Sequence, residues 1–142
     1  MTLLYFDTNA FVKLVIDEVG SELAGEMWNA ADVVASSPLA VPETRAALAA
    51  SFRRGDIDRA ALTDAVHHWS RCWHVVRTVE LTTEVTAAAG ALAERHALSG
   101  ADAVHLASAL ALRDGNVVMA TWDRRLSDAA RAAGLRVVPA NP

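Results

Sequence analysis

Four carboxylates, Asp7, Glu43, Asp102 and Asp123, stand where an apolar run gives way to a helix or where a helix begins. LLYF precedes Asp7 and VVMATW precedes Asp123, while SGAD opens a helix at Asp102. Glu43 lies in VPETRAAL, where Pro42 suits a first helical turn. In a parallel α/β sheet such junctions share one edge, outside the carboxyl ends of the strands, where ligands bind. Acids distant in sequence then meet in space. Without a cation they repel, each pair at ~4 Å costing about 4 kcal/mol at an effective dielectric of ~20. Such a cluster makes sense as a cage of hard oxygens for Mg²⁺ or Mn²⁺.

The rest of the chain fits that sheet. Apolar runs predict strands over 2–6, 32–36, 75–79, 116–121 and 135–139. Between them the pattern reads as helix. Asp7-Thr8-Asn9 supplies cap chemistry for AFVKLVIDE, and Ser21 is placed to cap ELAGEMWNAA. A helix over roughly 42–54 ends at Gly55, and Asp56 or Asp58 opens another through His74. Thr82 or Thr83 caps a helix to about Leu98. Ser99 caps the next, with Asp102 at its third position in the manner of a capping box. Asp123 begins the last, which stops at Gly134. Strands alternate with helices, with two helices in a row twice. That means a parallel sheet of about five strands covered by helices on both faces.

At 142 residues the chain is expected to form one domain over 1–142. A chain of that size buries ~68% of the surface its unfolded form exposes. A hydrophobic fraction of 53% supplies the core. The net charge of −4 argues against binding nucleic acid through a basic surface alone. It leaves room for a nucleic-acid enzyme whose metal ions bring the positive charge. The single cysteine, Cys72, rules out an internal disulfide and fits a reducing, cytoplasmic compartment. Asp7 and Lys13 interrupt the apolar N-terminus, so neither a signal peptide nor a membrane span is expected.

Four segments together resemble the PIN-domain family, in particular the toxin ribonucleases of VapBC toxin–antitoxin modules. LLYFDTNAFVKL looks like the family's opening strand and first acid, and VPETRAALAASFRRG like its second-acid helix. LSGADAVHLASAL matches the third-acid motif, where Asp-Ala-x-His-x-Ala recurs, and ATWDRRLSDAARAAGL the Thr-x-Asp motif. The resemblance implies a three-layer PIN-like fold and a metal-dependent endoribonuclease leaving 5′-phosphate and 3′-hydroxyl ends. It implies that Asp7, Glu43, Asp102 and Asp123 bind one or two Mg²⁺ or Mn²⁺, directly or through water. Thr121 is then placed to orient Asp123 or a water, and Asn9 to donate to an acid or to phosphate. A homodimer and a small VapB-type antitoxin partner follow from the resemblance alone, and DNA would be reached only through that antitoxin.

Each acid also has a plain structural explanation. Asp is a favoured helix cap, and a carboxylate in a first turn gains about 0.3–1 kcal/mol from the helix dipole. Capping alone does not require the four to share an edge. His105, three residues after Asp102, reads as a histidine hydrogen-bonded near the site without chemistry of its own. His67, His68 and His74 read as surface or packing residues, Trp28, Trp69 and Trp73 as core or interface, and Cys72 as a small buried hydrophobe. Arg53-Arg54 and Arg124-Arg125 are read as solvated charge. Two rivals remain: a PIN nuclease of RNA processing, and a phosphoryl-transfer protein using Asp7 as acceptor. A haloacid-dehalogenase-type phosphatase wants Asp-x-Asp where this chain has Asp7-Thr8-Asn9. A receiver wants a late lysine, and the only lysine is Lys13.

Overall fold

A computed structural model describes residues 1–142. Strand β1 (Leu3–Phe6) is followed by helices α1 (Thr8–Val15) and α2 (Ser21–Ala30), then by β2 (Val33–Ser36). Helices α3 (Ala40–Arg54) and α4 (Arg59–Trp73) lead to β3 (Arg77–Thr78). Helices α5 (Thr83–His96) and α6 (Gly100–Ala111) lead to β4 (Val118–Ala120), and α7 (Arg124–Ala132) to β5 (Arg136–Val138). All pairings are parallel, in the order β3-β2-β1-β4-β5.

The sheet is apolar on both faces, so alternate residues of one strand enter different cores. Leu3 and Tyr5 pack with α5, α6 and α7 residues such as Val85, Leu106 and Leu126. Leu4 and Phe6 pack with Phe11 of α1, Met27 of α2, Ala40 of α3 and Trp69 of α4. That makes the expected three layers. The chain leaves β1 for β2 and β3 on one side, then crosses to β4 on the other. The direction reverses between β1 and β4, and the crevice at their carboxyl ends is where such sheets bind ligands. Asp7 and Asp123 flank that crevice.

Several boundaries differ from the sequence reading. Helices come in pairs three times, not twice. The third strand shrinks from 75–79 to two exposed edge residues, because no further strand pairs its outer side. Helix α3 starts two residues before Pro42, because the Ser37 hydroxyl accepts from Leu39 N at 3.1 Å and tightens the turn. Ser21 does not cap α2. Gly20 takes that position at φ 96°, and Ser21 Oγ donates instead to Ile16 O at 2.8 Å. A Cβ on Gly20 would meet Trp122 Nε1 at 2.8 Å, so close packing also demands glycine there.

Trp69 is buried, partly buried Trp73 packs on it, and partly buried Trp28 packs on Phe6 of the same core. Cys72 is buried as expected. No helix is long and apolar enough to cross a membrane.

Candidate active site

Each acid arrives by a different local device. Asp7 leaves β1 in extended backbone and caps α1, its Oδ1 accepting from Ala10 N at 2.9 Å. Asp123 caps α7 the same way, Oδ1 to Leu126 N at 2.7 Å. Asp102 stands in the first turn of α6, where Ser99 Oγ accepts from its backbone N at 3.2 Å. Glu43 projects from the first turn of α3.

These elements enclose a cavity of about 320 Å³ lined by Asp7, Thr8, Asn9, Glu43, Asp102 and His105, with Ala46 and Ala47 of α3 beside them. Asp123 does not line it, but its charge acts on Asp102. A larger groove of about 590 Å³ beside α5 and α6 is mostly apolar and contains none of the four acids. The acids gather at the smaller cavity.

Electrostatically the cavity is lopsided. Burial pushes the Asp7 carboxyl up to about 6, against the pull of the Thr121 hydroxyl and the Ala10 amide, and the charge of Asp102 adds to the rise. Asp102 is raised by burial and then by the charge of Asp123. Glu43 goes the other way. Burial raises it, but donors outweigh burial and hold it below the usual carboxylate range. Those donors are Thr8 Oγ1 at 2.8 Å and His105 Nε2 at 2.7 Å, both on Oε1. No lysine or arginine lines the cavity. Lys13 is tied to Glu18 at 3.1 Å and to Val19 O, so it does not serve the acids.

The donor set suits a hard cation. It offers carboxylate oxygens and an amide, without a thiolate. The one imidazole is spent, with Nδ1 against Tyr5 and Nε2 against Glu43. Mg²⁺ and Mn²⁺ favour such oxygen-rich sites, whereas zinc favours nitrogen and sulfur. As they stand, no three His, Cys, Asp or Glu side chains close into a ready cage. That fits Mg²⁺, which keeps several waters and takes one or two carboxylates directly.

The supporting residues sort clearly. Thr121 is fully buried, its hydroxyl accepts from Asp123 N at 3.1 Å, and it lies close enough to Asp7 to pull that carboxyl down, so one hydroxyl stands between two acids. Asn9 lies exposed at the rim. His105 is buried beneath the cavity. His67 and His74 are exposed, and neither they nor His68 join a metal-binding group. Arg54 pairs with Asp56, and Arg125 donates to Ala97 O. Sequence reasoning missed Thr8 and Tyr5 as members of this network. A tyrosine inside an apolar strand was the available signal, because a buried phenol needs a partner.

The PIN domain model matches residues 4–132, nearly the whole chain. The chain belongs to the PIN-domain family. It is 55% identical over 140 residues to "Ribonuclease VapC45" and to "Ribonuclease VapC49", both of Mycobacterium tuberculosis strains, covering 99% of this chain and 97% of each relative. Solved structures repeat this PIN fold. PAE2754 from Pyrobaculum aerophilum superposes at TM-score 0.70 with 18% identity, over 96% of this chain and 90% of that one. FitAcB from Neisseria gonorrhoeae gives 0.59 with 16% identity, over 94% and 95%. At such identities they speak for the fold alone. The α/β architecture expected from the strand–helix alternation is the PIN architecture.

Proposed function

We propose that this single-domain chain is a VapC-type endoribonuclease, the toxin half of a toxin–antitoxin module. One observation carries the reading. Acids from four separate segments share one edge, and three of them line a cavity that no lysine or arginine enters. The ribonuclease names of relatives 55% identical over 99% of the chain support ribonuclease chemistry for such a cavity.

Asp7, Asp102, Asp123 and Glu43 would hold one or two Mg²⁺ or Mn²⁺, directly or through water. When bound, the ion lowers the pKa of a water and neutralises charge on the scissile phosphate. The chain's own residues prepare for it. Glu43 is ionised well below neutrality, so it offers charge throughout the physiological range. Asp7, pushed up to about 6, has lost its proton at cytoplasmic pH. Thr121 holds the Asp123 backbone and stands beside the Asp7 carboxylate. The Asn9 amide stands at the rim as a donor for phosphate or a base edge.

We place the protein in the cytoplasm, as a homodimer held inactive by a VapB-type antitoxin. An acidic cavity with no internal cation recommends a partner that inserts an Arg or Lys there. The test is cleavage of single-stranded RNA by the purified chain. Mg²⁺ or Mn²⁺ should support it, EDTA should abolish it, and products should carry 5′-phosphates. Cleavage that survives metal stripping would overturn the metal site. Cyclic phosphate ends would overturn the hydrolytic route.

A further inference from the structure

Tyr5, the only tyrosine in the chain, is fully buried in the central strand. Its hydroxyl lies 2.8 Å from His105 Nδ1 and accepts the Ser37 N–H at 3.1 Å. Across the imidazole, Nε2 stands 2.7 Å from Glu43 Oε1. Thr8 Oγ1 donates to that same oxygen at 2.8 Å.

The donor and acceptor inventory gives these contacts a direction. An ionised Glu43 only accepts, so His105 Nε2 carries the proton it donates. On the other side of the ring, Nδ1 takes the Tyr5 proton when the imidazole is neutral and gives its own to the Tyr5 oxygen when it is charged, so Tyr5 holds the ring in either state. The Tyr5 oxygen already accepts from Ser37, and its own proton is free to go to Nδ1. Ser36 is no competing donor, because its hydroxyl is given to Phe6 O at 2.7 Å. Ser108 Oγ is nearby but unbonded. A continuous chain results, from the Ser37 N–H to the Tyr5 hydroxyl, from that hydroxyl to His105 Nδ1, and from His105 Nε2–H to Glu43. Its effect appears at the cavity. Oε1 is occupied by two donors, which leaves Oε2 as the oxygen offered to a ligand.

We propose that Tyr5 is a positioning residue for Glu43: through His105 it anchors one carboxylate oxygen and turns the other towards the cavity. Tyr5 touches neither metal nor substrate. The inference rests on the reading of Glu43 as part of the metal site. Partners one step behind a metal ligand typically change affinity by about 10–100-fold when removed.

Calorimetric Mn²⁺ affinity is measured on the full-length wild type, Tyr5→Phe, Glu43→Gln and the double variant. Tyr5→Phe should weaken Mn²⁺ roughly tenfold. Glu43→Gln should weaken it at least as much, and adding Tyr5→Phe to Glu43→Gln should change nothing further. Equal losses in both backgrounds would reduce Tyr5 to packing and overturn the proposal, as would wild-type affinity in Tyr5→Phe. Wild-type affinity in Glu43→Gln would sink the assignment of Glu43 itself, a distinct failure that leaves Tyr5 nothing to position. Should Tyr5→Phe not fold, 3-fluorotyrosine incorporation labels position 5 alone and keeps the hydroxyl. Its ¹⁹F resonance should move with Mg²⁺ in the wild type and stay fixed in Glu43→Gln. A resonance indifferent to Mg²⁺ in the wild type would overturn the proposal.

Discussion

Asp58 and Asp7 have the same local role. Asp58 sits at φ −86°, ψ 178° and caps α4 through Ala61 N at 2.7 Å. Asp7 sits at φ −79°, ψ 178° and caps α1 through Ala10 N at 2.9 Å. Capping rules account for both equally. Yet Asp58 is exposed in the connection between two helices, while Asp7 is buried at the end of the central strand, beside two other acids of the cavity. The local conformation is written in a few neighbouring residues. The chemistry is written in the strand order, which brings the segments around residues 43, 102 and 123 to Asp7 and brings nothing to Asp58.

The largest expected effect is on activity. Asp7→Asn keeps a good cap and removes a charge from the cavity. It should reduce Mg²⁺-dependent RNA cleavage by roughly 100-fold or more. Asp58→Asn makes the same chemical change and should cleave like the wild type. A gel assay on both folded variants decides the matter, and matched losses would erase the distinction between the two aspartates.

Next comes stability against pH in metal-free buffer. The folded Asp7 carboxyl keeps its proton up to about pH 6, whereas its ordinary value is 3.8. Between those values the folded protein binds more protons than the unfolded chain. Stability therefore falls as pH rises through that window, and above it the penalty is on the order of 3 kcal/mol. Asp102, also raised, acts in the same direction. Asp7→Asn escapes its share. It should melt several degrees above the wild type at pH 7.5, with the gap closing towards pH 4. A gap independent of pH would mean that the Asp7 charge carries no folding penalty.

Metal should reverse that penalty. A ligand of the native state at 100 Kd stabilises it by about 2.7 kcal/mol. For a domain of this size that is several degrees or more, since roughly 1 kcal/mol moves the midpoint by about 3–5 °C. Saturating Mn²⁺ at constant ionic strength should raise the melting temperature of the wild type and of Asp58→Asn alike. Asp7→Asn should respond far less. A flat wild-type response would leave Asp7 as a cap like any other.

The same contrast shows what one sequence discloses. The four acids were legible because each follows an apolar run or opens a helix, and because the motifs around them recur in the family. Thr82 and Ser99 were legible as caps, since a hydroxyl three residues ahead of a backbone N–H is a local pattern. The network under Glu43 was not. It needs Tyr5 from β1, Thr8 from α1, His105 from α6 and the Ser37 amide in one place, with sequence separations up to 100 residues. No window along the chain contains it. The edge strand was over-read for a related reason: VVRTV has strand propensity, but pairing on one side only sustains two residues of it.

The smallest effect isolates capping itself. Asp58→Ala deletes the Oδ1 acceptor of Ala61 N, outside the acidic cavity. An N-cap of this type is worth about 1 kcal/mol. The midpoint should fall by about 3–5 °C, equally with and without Mn²⁺. Asp58→Asn, which keeps an acceptor, should stay within about 0.5 kcal/mol of the wild type. Both should cleave RNA at the wild-type rate. The signs carry the argument, because removing charge from one N-cap is neutral while removing it from the other raises the metal-free midpoint. If Asp58→Asn also stabilised the metal-free protein, relief of the overall charge of −4 would explain both, and the special standing of Asp7 in the cavity would fall.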